Sequence, residues 1–168
     1  MKALILVADG FEDLHLFCPW YRLREEGADV TLASPSGKPV TGRRGYAAAC
    51  HLAIHNANPA DYDLLVIPGG YSPEKLRLRE EAVDIARTFM DEGRQVAIIG
   101  HAAQLLISAG AISGRHVAAA PEIRDDIRAA GGAWHDEGTV TDGNLVSCRG
   151  NDDLPELCRA LAACGAAA

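Results

Sequence analysis

Short apolar runs closed by glycine alternate along the chain with stretches whose apolar positions recur every three or four residues. ALILVA (3–8), ended by Asp9-Gly10, predicts a buried strand and a turn. From 12 to 27, Leu14, Phe17 and Leu23 recur at helical spacing and Gly27 stands where helices commonly close. A helix is expected there, kinked at Pro19, which has no N–H for the carbonyl of His15. DVTLAS (29–34) and DLLVIP (63–68) predict further strands, with an irregular Gly- and Arg-rich stretch over 36–46 between them. Residues 73–92 read as one helix in which Leu76, Leu78, Val83, Ile85 and Phe89 supply the apolar contacts. QVAIIG then predicts a strand and HAAQLLISAG a helix closing at Gly110. The remainder predicts a weak strand at 116–119, a helix at 121–130, and two short strands near Thr139-Val140 and Leu145 to Cys148. Those two strands join through the turn Asp142-Gly143-Asn144, and a C-terminal helix ends in a frayed tail, CGAAA.

The β-α-β alternation implies an α/β fold, a mostly parallel sheet with helices on both faces. At 168 residues the chain fits one domain, 1–168, and 48% hydrophobic with 23% charged residues is an ordinary globular balance. Its apolar runs are too short to cross a bilayer, and Asp9, Glu12 and Asp13 stand where an export signal needs a small-residue cleavage site. A cytoplasmic protein is therefore expected. A net charge of −7 argues against nucleic-acid and anionic membrane partners, the only basic pair being Arg43-Arg44. The cysteines at 18, 50, 148, 158 and 164 show no C-x-x-C or zinc-finger spacing, so free thiols are expected.

In open parallel sheets ligands bind beyond the C-terminal strand ends. Three such ends carry chemistry: Asp9-Gly10-Phe11-Glu12, Pro68-Gly69-Gly70 and Gly100-His101. Gly100 occupies a strand-to-helix turn, the place where a nucleophile elbow presents its reactive side chain, and also one where a tight turn calls for glycine. The His101 and Gly70 N–H groups can form an oxyanion hole, or His101 can simply cap its helix. Glu12 and His15, three apart, share a helical face as an acid/base pair, as two metal ligands or as an ordinary exposed pair. Cys18 extends that face, but Glu12, His15 and His101 match no metal signature, so neither metal nor cofactor is assigned.

Together FED (11–13), PGGYSPEKLR (68–77), VAIIGHAAQLLISAG (96–110) and PEIRDDI (121–127) resemble the ThiJ/PfpI superfamily, closest to its PfpI-type intracellular protease branch. The resemblance covers essentially the whole chain. It implies the flavodoxin-like, class I glutamine amidotransferase-like three-layer sandwich. It also implies a cysteine at the elbow, a histidine after it, a glutamate on the first helix supporting the thiol, and a glutamate after the PGG turn reaching in from a neighbouring subunit. The matching positions here are Gly100, His101, Glu12 and Glu74, so the nucleophile is the missing member. Ala120 stands where the pattern has a tyrosine and His15 where it has an acidic residue.

These departures point to a small-molecule substrate or ligand, handled by Glu12 with His15 or His101 through acid/base chemistry of hydratase, lyase or isomerase type. Two alternatives stand beside this expectation: a PfpI-like peptidase or glyoxalase/deglycase with its nucleophile removed, and a non-catalytic ligand-binding protein. Arg43, Arg44 and Tyr46 are candidate anchors for a carboxylate or phenol, and Cys18 is the one substitute thiol. The resemblance further implies a homo-oligomer, dimer or hexamer.

Overall fold

Residues Lys2–Leu6 form a strand, β1, whose side chains divide between two apolar cores. Leu4 and Leu6 enter one core while Ala3 and Ile5 enter the other, as the two-residue period of a strand requires. The same division splits residues 64–67 and 96–99, which is why these runs read as continuously apolar. The computed structural model describes residues 1–166.

In chain order β1 is followed by α1 (Asp13–Glu25), β2 (Asp29–Ser34), β3 (Val40–Thr41), β4 (Ala47–Ala48), β5 (Leu52–Ala53) and β6 (Leu64–Ile67). Then come α2 (Ser72–Leu76), α3 (Glu80–Asp91), β7 (Gln95–Ile99), α4 (Ala103–Ser108), β8 (His116–Ala118) and α5 (Arg124–Ala129). The chain continues with β9 (Ala133–His135), β10 (Thr139–Asp142), β11 (Leu145–Cys148) and α6 (Leu154–Ala166). Seven strands form the main sheet in the order β10-β11-β7-β6-β1-β2-β5, parallel except for β10. Leu16 and Leu23 of α1 and Leu157 and Leu161 of α6 cover one face; α2, α3, α4 and α5 cover the other. The result is the expected three-layer, flavodoxin-like α/β sandwich.

From β1 the chain moves outward to β2 and later returns to the opposite side as β6. The ends of β1 and β6 therefore bracket a topological switch point. An isolated antiparallel bridge between Phe11 and Gly70 ties those two ends together.

Several expectations need correction. The helix over 73–92 is two helices, because Arg79 takes an extended backbone (φ −108°, ψ 114°) and interrupts it. Leu78 lies in that break, 82% exposed, and supplies no core contact. The 36–46 stretch contains β3, paired antiparallel with β4, and the short strands β4, β5 and β9 add to those the sequence predicts. The helices placed at 101–110 and 121–130 each open with a 3-10 turn, Gly100–Ala102 and Pro121–Ile123. The tail CGAAA is helical as far as Ala166; its last two residues lie outside the described range.

Asp13 links α1 to the β3–β4 hairpin. Its buried carboxylate accepts the Arg44 N–H at 2.8 Å and the Tyr46 N–H at 3.1 Å, and a Cβ on Gly42 would lie 2.5 Å from Oδ1. Asp13→Ala should cost about 2 kcal/mol, since two backbone donors lose a charged acceptor. Urea unfolding measures that cost, and fast hydrogen exchange at the Arg44 and Tyr46 amides would locate it in the hairpin. An unchanged midpoint would remove Asp13 as the hairpin's anchor.

Candidate functional site

The ends of β1, β6, β7 and β11 open into a cleft of about 230 Å³ lined by Glu12, His15, Gly70, Gly100, His101 and Ala120. The acid/base and oxyanion candidates Glu12, His15, Gly70, Gly100, His101 and Ala120 therefore meet in one place. Glu74 does not: it sits exposed on α2, away from the cleft of its own chain. A larger cavity of about 350 Å³ runs past Asp9, Lys75 and Arg79, without the carboxylate and histidine groups gathered in the smaller one.

Glu12 is not on the helix face but at the N-cap of α1, with extended backbone (φ −73°, ψ 121°). Its N–H donates to the Gly69 carbonyl at 3.1 Å, and its carbonyl accepts the His15 N–H at 3.0 Å. That turn brings both side chains to the cleft. The Glu12 carboxylate is nearly buried and lies 3.6 Å from Arg43 Nη1. Arg43 in turn stacks over the Tyr71 ring at 4.5 Å, its backbone N–H held by the Phe11 carbonyl at 2.8 Å. Of the three proposed anchors only Arg43 lines the cleft; Arg44 and Tyr46 face solvent.

Gly100 has φ +60°, the left-handed region that favours glycine and that an elbow residue occupies under strain. A Cβ built there would meet His15 Cε1 at 3.2 Å and the Arg149 carbonyl oxygen at 3.4 Å. The His15 ring thus lies against the space that a side chain at position 100 would enter. Gly69 completes the packing: a Cβ on it would collide with the Ile99 carbonyl and lie 3.2 Å from the His101 nitrogen. The PGG turn can approach the end of β7 only without that side chain.

His15 is 6% exposed, and its Nδ1 is buried with no hydrogen-bond partner. Its pKa is lowered to about 4, chiefly by burial, then by the neighbouring charges of His101 and Arg43, with the Asn151 side chain acting in the opposite direction. The ring is neutral at physiological pH and so can accept or relay a proton. His101 stands beside it in the 3-10 turn that precedes the six-residue α4, so the helix dipole available to a developing anion is that of a short helix.

Sequence reasoning missed Arg149, Gly150 and Asn151, which wall the cleft from the end of β11. Their signal is positional: β11 is the sheet neighbour of β7, Val146 pairing with Ala97 although 49 positions separate the two in the chain. Arg149 is bound at 2.9 Å to Asp136 and at 3.1 Å to Asp153, so its charge is committed within the protein.

Cys18 lies outside the cleft, in a groove between α1 and α6 that Cys158 also lines. Burial raises the pKa of both thiols, Cys158 to about 11, which keeps them protonated and weakly nucleophilic. Cys18, Cys50, Cys148 and Cys158 are free thiols; the side chain of Cys164 lies outside the described residues. Among the described residues no group of three or more His, Cys, Asp or Glu is arranged to hold a metal ion, and no helix is long and apolar enough to cross a membrane.

Comparison with known proteins adds three findings. A sequence profile of the DJ-1/PfpI family matches residues 1–164. The chain is 47% identical to Deglycase PYRAB04690 of Pyrococcus abyssi and 47% identical to Deglycase PfpI of Pyrococcus furiosus, covering 92% of this chain and 93% of each relative. The crystal structure of Drosophila melanogaster DJ-1beta superposes with a TM-score of 0.89 at 25% identity, over 96% of this chain and 88% of that one.

Proposed function

We propose a function from one premise, that the chain belongs to the DJ-1/PfpI family. The cleft of Glu12, His15, Gly70, Gly100 and His101 binds the small carbonyl compounds, or the adducts they form, on which a deglycase acts, and it does so without a covalent thiol step. Gly100 stands at the position of the nucleophile. The observation that carries this reading is the Gly100 turn itself: φ is +60° at the end of β7, and the missing side chain would point at His15 in the cleft.

The relatives' names favour this deglycase-type reading over hydration or elimination. Glycine has no atom with which to form a thiohemiacetal or acyl intermediate. What remains is binding. The N–H groups at Gly70 and His101 face a carbonyl oxygen, Arg43 meets an anionic substituent, and neutral His15 with Glu12 hydrogen-bonds the bound molecule. We also propose a cytoplasmic homo-oligomer in which Glu74 reaches the cleft of a second subunit.

The test is turnover of methylglyoxal by the wild-type chain beside its Glu12→Gln and Cys18→Ser variants. No turnover above the uncatalysed rate is expected in any of the three. Rapid turnover lost in Cys18→Ser would place a working thiol outside the cleft and overturn the reading.

A further inference from the structure

Away from the cleft, β8 and β9 form a parallel pair in which His116 is opposite Ala133 and Ala118 is opposite His135. His116 and His135 are two positions apart in register, so strand alternation places both on one face. Their rings meet nitrogen to nitrogen, 5.0 Å between centroids and 29° between planes, with His116 Nδ1 2.7 Å from His135 Nε2. The other nitrogen of His135, Nδ1, faces the Glu137 carboxylate at 3.8 Å. His116 is fixed through its backbone: its N–H donates to Asp142 Oδ2 at 2.9 Å, and Arg115 Nε holds the same oxygen at 3.1 Å.

We propose that His116 and His135 form a binding site for a borderline divalent transition-metal ion, zinc being the probe. Imidazole nitrogen suits such ions, and two nitrogens each about 2.0–2.1 Å from a tetrahedral ion stand about 3.3 Å apart. To admit one, the nitrogens must part by about half an ångström and the exposed His116 ring must turn until the two lone pairs converge. Each neutral ring can offer the required lone pair. His135 keeps its proton on Nδ1, towards Glu137, in the carboxylate–histidine–metal arrangement that orients and strengthens a ligand, while His116 keeps its proton on Nε2. His116 is exposed, which leaves an entry path and room for water in the remaining coordination positions. With two protein donors rather than three, the site is a surface chelate that joins β8 to β9.

Calorimetric titration of zinc chloride into the full chain at neutral pH tests this. One saturable equivalent per chain is expected, weakened at least tenfold in His116→Asn and in His135→Asn and about tenfold in Glu137→Gln. Saturating zinc should raise the melting temperature of the wild type and not of the two histidine variants, because an ion bound to the folded state stabilises that state. Absence of saturable binding in the wild type would overturn the proposal. So would binding that survives both histidine substitutions, or binding removed instead by Glu12→Gln or Cys158→Ser.

Discussion

Gly100→Cys is expected to raise methylglyoxal turnover at least about a hundredfold above the uncatalysed rate, which the wild-type chain does not exceed, by returning the nucleophile that a covalent mechanism needs. Thiolate attack on the carbonyl carbon would form a C–S bond and leave the charge on oxygen, beside the N–H groups of Gly70 and His101. The substitution has a structural cost, since a non-glycine residue at φ +60° is strained by about 1–2 kcal/mol. The new Cβ would also stand 3.2 Å from His15 Cε1, so the ring must yield by a few tenths of an ångström. Glu12→Gln in the same chain should abolish the gain. A folded Gly100→Cys protein whose new thiol is alkylated by iodoacetamide but which turns over nothing would show that the cleft is not of deglycase type.

The second large effect is on stability. His15 has a pKa of about 4 in the folded protein against 6.5 for the ordinary imidazole. Between those values the unfolded chain binds a proton that the native protein does not, so stability falls as pH drops from 6.5 towards 4 and is regained as pH rises. The slope is about 1.4 kcal/mol per pH unit, or about 3 kcal/mol over the whole window. Replacing the ring by an apolar side chain removes both the titration and the unpartnered Nδ1. Urea unfolding at pH 7 and pH 4.5 should therefore show the wild type losing about 2–3 kcal/mol more than His15→Leu. Equal losses in the two proteins would mean that His15 titrates normally in the fold.

Much of this site is legible in the sequence because its residues sit at strand ends that the apolar runs mark plainly. ALILVA, DLLVIP and QVAIIG stop abruptly, the last of them at Gly100, and Glu12, Gly70 and His101 lie within four residues of those ends. Arg149 and Asn151 belong to the same cleft yet lie beyond a strand whose place beside β7 is set by sheet order rather than by any local pattern. The two-residue β5 and three-residue β9 are too short for a period to show. The break at Arg77 to Arg79 carries neither glycine nor proline, so Leu78 reads as a helix contact although tertiary packing leaves it in water. Glu12 illustrates a finer limit: spacing from His15 is correct, but the residue is a cap and not part of the helix.

The Gly100 cleft should bind a carbonyl compound without reacting covalently with it, and amide shifts of the ¹⁵N-labelled wild-type chain during a methylglyoxal titration measure that binding. Saturable shifts at Gly70, His101 and Gly150 that reverse on dilution are expected, with no added mass on Cys18. Shifts confined to the groove between α1 and α6, or no saturable shift at all, would contradict it.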